Sequence, residues 1–90
     1  MPTVSSRFVV PNTCGIHARP AAMFVKTANR YEASISIRNG GGHYNGKSIL
    51  DLLSIGAEKG TQLTVVADGC DADAAIKEIQ CLFAGRFGEE

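Results

Sequence analysis

Ala33-Ser34-Ile35-Ser36-Ile37-Arg38, followed by Asn39-Gly40-Gly41-Gly42 and then His43-Tyr44-Asn45, is the stretch that decides the fold. Ile35 and Ile37 point one way, while Ser34, Ser36 and Arg38 point the other. This period of two describes a strand with one buried face. The glycines admit positive φ in a tight turn, and His43 to Asn45 reads as a short return strand. Two strands joined this closely pair antiparallel.

Working outward, Ala18 to Asn29 reads as a helix, with Ala21, Val25 and Ala28 at helical spacing and Phe24 alongside. Arg7 to Val10 reads as a short strand that stops at Pro11. On the other side, Ser48 to Ile55 reads as a short helix. Ser48-x-x-Asp51 has the form of a capping box, with Asp in place of the usual Glu or Gln. Gly56 or Gly60 ends that helix. Leu63 to Ala67 is a further strand, stopped by Asp68-Gly69. Asp71 caps a last helix running to about Phe83, with Ala75, Ile76, Ile79 and Phe83 as its apolar stripe and Cys81 placed in the core. Gly85 terminates it, and the tail Arg86 to Glu90 reads as loose. The order is strand, helix, strand, strand, helix, strand, helix. It implies an α+β domain with an antiparallel sheet and helices on one face. The other sheet face then meets water, which suits Ser34, Ser36 and Thr64.

The totals bound the function. Ninety residues fit a single domain, 1–90. Nine Lys and Arg balance nine Asp and Glu, which argues against general nucleic-acid binding. No apolar run has the length of a membrane span, so no membrane insertion is expected. Met1 to Arg7 holds no apolar signal segment. Cys14, Cys70 and Cys81 form no CxxC pair, and free thiols in a reducing cytoplasm are expected.

The chemistry concentrates in Gly15-Ile16-His17-Ala18-Arg19-Pro20. A neutral imidazole keeps one nitrogen lone pair available as a nucleophile. His17 stands at the start of a helix, whose first N–H groups lack intrahelical partners and carry about half a positive charge. Such an end receives phosphate readily. Arg19 adds a forked donor that matches phosphate oxygens. Pro20 costs little in a first turn, and Gly15 permits a tight bend before it. The ordinary alternative is a solvated surface histidine. Cys14-x-x-His17 also has metal-ligand spacing, but two ligands are too few for a closed site.

A second feature is the short helix. Ile49 and Leu52 are expected to point inward, leaving Leu50 and Leu53 as exposed neighbours on another face. Adjacent exposed leucines fit a docking patch, and full burial of the helix is the plain alternative. Ser48 is either a structural cap or a modification site at a helix N-terminus.

Together these residues resemble the HPr family of histidine-containing phosphocarriers of the bacterial phosphoenolpyruvate:sugar phosphotransferase system. The resemblance runs from about Phe8 to Phe83. Gly15-Ile16-His17-Ala18-Arg19-Pro20-Ala21 looks like the active-site signature. Lys47-Ser48-Ile49-Leu50, with Leu53, Ile55 and Gly56, looks like the regulatory-serine signature. The resemblance implies an open-faced β-sandwich, a four-stranded antiparallel sheet covered by three helices. It implies that His17 accepts a phosphoryl group at Nδ1 from phosphorylated enzyme I and passes it to the A component of a sugar-specific enzyme II. Arg19 would balance the phosphoryl charge. Leu50 and Leu53, with Ala22, Met23 and Lys26 of the first helix, would form the partner surface. Ser48 matches a serine that a dedicated kinase phosphorylates, and a phosphorylase would reverse, in some members. Cys14 stands where members often carry a small polar residue, and Asp51 where many carry glycine or lysine.

The implied protein is a monomeric cytoplasmic covalent intermediate without a cofactor, and not a stand-alone turnover enzyme. A nitrogen-related phosphotransferase paralogue would use His17 in the same way but act on regulators. A purely regulatory binding protein would use only Ser48 and the leucines.

Overall fold

The hairpin forms where the alternation places it. The structure is a computed structural model, and it describes residues 2–89. Strands β2 (Ser34–Asn39) and β3 (Gly42–Asn45) pair antiparallel from Ser36↔Asn45 to Asn39↔Gly42. Gly40 sits in the turn at φ +59°, a conformation that costs glycine nothing.

Around this hairpin lie β1 (Thr3–Val9), α1 (Ala18–Ala28), α2 (Ile49–Ile55), β4 (Gln62–Asp68) and α3 (Ala72–Ala84), in the expected order. The four strands form one antiparallel sheet in the order β1-β4-β2-β3. Registers preserve the alternation across strands: Val4 and Ile35 both pair with Ala67, and Phe8 pairs with Leu63. Ile35, Ile37, Leu63, Val65, Ala67 and Phe8 therefore share one buried face. The helices cover that face, giving the open-faced α+β arrangement. Phe83 of α3 organises the core. It stacks on Phe8 at 4.5 Å between ring centroids and meets Phe24 of α1 edge-on at 6.5 Å.

Four local readings need correction. Strand β1 begins at Thr3, four residues before Arg7, because backbone pairing with Val66 and Ala67 outweighs its polar composition. Cys81 is exposed and not in the core. It stands two residues from both Ile79 and Phe83, so it falls on the helix face opposite their stripe. Asp71 precedes α3 but its side chain does not cap it. Its carboxylate instead accepts the N–H groups of Glu32 and Ala33, both at 2.8 Å, and so ties the start of α3 to the entry of β2. Those two bonds hold the Asp71 carboxyl below its ordinary pKa.

The tail, expected to be loose, is instead held against the core. Arg86–Gly88 forms a short 3₁₀ turn, and Phe87 is buried, edge-on to Phe83 at 4.9 Å. Burying a phenylalanine contributes about 1.5–3 kcal/mol. Arg86 and Phe87 both adopt left-handed backbone, φ 55° and 53°, at a cost of about 1–2 kcal/mol each. Together the two cost about 2–4 kcal/mol, which packing alone does not offset, so the polar contacts made by the tail decide its position. Those contacts lie at the candidate site. Glu90 lies outside the described residues.

Candidate functional site

The loop from β1 to α1 is clamped by backbone bonds. Val10 donates to Thr61 O and accepts from Gly60 N, each at 2.9 Å. Ile16 N donates to Ala57 O at 2.9 Å, and Ile16 is buried. Gly15 between these anchors takes φ +71°. The chain thus leaves the core at Ile16 and presents His17 to solvent.

His17 is the N-cap residue of α1, in extended backbone, and its side chain makes no cap bond. Its carbonyl accepts Ala21 N at 3.0 Å, which closes the first turn. The ring is therefore free to face outward beside an uncapped helix end. Arg19 stands exposed in that first turn, and Pro20 is buried beneath it.

The ring has a partner that the sequence did not disclose. His17 Nε2 lies 3.2 Å from Glu89 Oε1, with the two side chains 43% and 19% exposed. Fully buried Asn12 holds that carboxylate: Nδ2 donates to Glu89 Oε1 and to the Arg86 carbonyl, each at 2.9 Å. The Asn12 bond, followed by those from His17 and the charge of Arg19, holds the Glu89 carboxyl below its ordinary pKa. A carboxylate only accepts, so this contact is a hydrogen bond in the tautomer that carries the ring proton on Nε2.

On α2, Ser48 is the N-cap, and its hydroxyl accepts Asp51 N at 3.2 Å. Asp51 does not complete the capping box. Its carboxylate accepts Asn45 N at 2.8 Å instead. Leu52 is buried, while Leu50 and Leu53 are 76% and 40% exposed. The inward reading of Ile49 fails, since it is 42% exposed. A helix of seven residues offers the core little more than its middle turn, and Ile49 sits at its first position. Ile49 and Leu53 are four residues apart and so extend the leucine patch. On α1, Ala22 and Lys26 are exposed and Met23 is half-buried, and α1 packs against α2.

The structure therefore gathers His17 and Arg19 at one helix end and leaves Ser48 as the cap of another. Asn12 and Glu89 were missed. Neither carries a motif, and only their distance in the fold reveals them. Among the described residues, no group of three or more His, Cys, Asp or Glu side chains converges. No described helix is long and apolar enough to cross a membrane.

The family model described as "PTS HPr component phosphorylation site" matches residues 4–85. The phosphocarrier protein HPr of Treponema pallidum is 38% identical over 81 residues, covering 90% of this chain and 92% of that protein. The multiphosphoryl transfer protein of Escherichia coli O157:H7 is 37% identical over 89 residues, covering 96% of this chain, which spans only 24% of that longer protein. A crystal structure of HPr from Thermoanaerobacter tengcongensis superposes with a TM-score of 0.89 at 37% identity, covering 100% of this chain and 99% of the other. A match that runs from the first strand to the last helix, in sequence and in shape alike, places the chain in the HPr family of the phosphotransferase system.

Proposed function

We propose that this protein is a phosphocarrier of the phosphotransferase system, with His17 as its phosphoryl acceptor. One observation carries the reading: an exposed imidazole at the uncapped start of α1, with Nε2 turned to a carboxylate and Nδ1 without a hydrogen-bond partner among the described residues. In the forward step the Nδ1 lone pair attacks phosphorus. The bond from phosphorus to the donor breaks, and its electron pair stays on the donor. The ring becomes a phosphoimidazolium that retains its proton on Nε2, so no proton need be released. Arg19 and the helix end balance the phosphoryl charge.

A carrier must also surrender what it takes. About 1.4 kcal/mol of extra stabilisation shifts the transfer equilibrium tenfold. His17, Arg19 and the helix end are exposed and screened, so their hold is moderate. Partners supply the remaining stabilisation of the transferring group.

The donor in this reading is phosphorylated enzyme I, and the acceptors are A components of enzyme II. Ile49, Leu50 and Leu53, with Ala22, Met23 and Lys26, form the docking surface. The names of the relatives favour this general carrier over a nitrogen-related paralogue. Three unpaired cysteines fit a reducing cytoplasm. Ser48 is first a structural cap. A kinase and phosphorylase acting there would place negative charge beside Asp51 and the leucine patch, weakening docking without refolding the domain.

The test mixes the protein with enzyme I and labelled phosphoenolpyruvate. Acid-labile, alkali-stable label on the wild type, absent from His17→Ala, is the expected result. Equal labelling of His17→Ala would refute it.

A further inference from the structure

We propose that the C-terminal segment Arg86–Glu89 is a positioning strap, and that its Glu89 carboxylate fixes the tautomer of His17 so that Nδ1 remains the nucleophilic nitrogen. The purpose of this strap rests on the carrier reading, but its geometry does not.

A neutral histidine in water can hold its proton on either nitrogen. Phosphoryl acceptance at Nδ1 needs the proton on Nε2. Glu89 Oε1, 3.2 Å from Nε2, can only accept, so it favours that arrangement. A carboxylate on a loose tail would do this poorly. Here the tail is held twice. Phe87 is buried against Phe83, and Asn12 donates both to the Arg86 carbonyl and to Glu89 Oε1. A flipped Asn12 amide would set Oδ1 against two acceptors, the Arg86 carbonyl and Glu89 Oε1. In the observed orientation Oδ1 is buried without a partner among the described residues. An unmatched buried acceptor is a stability cost. It is consistent with an asparagine placed to hold the strap. The left-handed backbone at Arg86 and Phe87 turns the chain back toward the site, a second local cost in the same segment.

The strap also suits release. After transfer the ring is cationic and keeps its Nε2 proton on Glu89. The pair is partly exposed, so it orients the ring without trapping the phosphorylated form. Glu89 is thus a positioning residue that acts through His17.

The test reads the ring nitrogens of His17 by ¹⁵N NMR in the free protein, above the histidine titration range. The wild type should show one protonated nitrogen, Nε2, and one bare nitrogen, Nδ1. In Glu89→Ala the two shifts should move toward each other as the second tautomer becomes populated. Glu89→Gln, whose amide oxygen can accept the same proton, should restore the wild-type pattern. With phosphorylated enzyme I, Glu89→Ala should lower kcat of label uptake about two- to tenfold and leave KM unchanged. An unaltered ring spectrum in Glu89→Ala, or an unaltered rate, would overturn the proposal. Absence of label on wild-type His17 would instead strike the carrier reading, because the tautomer is read with no partner present.

Discussion

Gly15 and Ala57 meet backbone to backbone. A Cβ on Gly15 would lie 2.3 Å from the Ala57 carbonyl oxygen, the same atom that accepts Ile16 N at 2.9 Å. The loop that delivers His17 is thereby pressed onto the segment that follows α2. The position of His17 and the position of the leucine-bearing helix are thus linked through one contact.

Gly15→Ala should therefore be costly. Its φ of +71° disfavours any side chain, and the added carbon must displace backbone. Unfolding in urea should show a loss of about 2 kcal/mol or more. Wild-type stability in this variant would mean that the contact is not as tight as described.

Leu53→Lys should leave the fold intact, since Leu53 is 40% exposed. Its unfolding free energy should stay within about 0.5 kcal/mol of wild type. Affinity for phosphorylated enzyme I should fall about tenfold, the scale of a central apolar contact in an interface. Unchanged transfer, or unfolding, would remove Leu53 from the docking surface.

Ser48→Ala should lose about 1 kcal/mol of stability, the usual worth of an N-cap side chain. Labelling of His17 should persist in this variant. A stability equal to wild type would argue that the Asp51 N–H is satisfied without Ser48.

Much of this arrangement was legible in the chain. The alternation of Ile35 and Ile37 and the glycine turn fixed the hairpin, because strand period and turn chemistry are local properties. Ser48 was recognisable as a cap for the same reason. What stayed hidden was non-local. Thr3 to Ser6 join a strand only because β4 offers them a partner. Asp71 looks like a cap in sequence, yet the N–H groups of Glu32 and Ala33 claim it in space. The tail looked loose because nothing in Arg86 to Glu89 shows that Phe83 and Asn12 await it. Half of the candidate site, His17 and Arg19, was thus readable from a motif, and the other half, Asn12 and Glu89, only from the fold.

Asp71→Asn gives a pH-dependent prediction. The folded-state pKa of Asp71 lies below the ordinary range of an aspartate, so its contribution is fully present above that range. It is lost as pH falls through the lower folded-state value. At neutral pH the variant should melt below wild type, and the difference should close in strong acid. Melting curves that differ equally at all pH values would show that the effect is not the charge of Asp71.

The central claim is that Nδ1 of His17 carries the phosphoryl group. Combined ³¹P and ¹⁵N NMR of the uniformly ¹⁵N-labelled phosphorylated protein tests it most directly. The account predicts a single phosphorus–nitrogen coupling, to Nδ1 of His17, with Nε2 still protonated. Phosphorus bonded to Nε2, to Ser48, or to no nitrogen at all would contradict it.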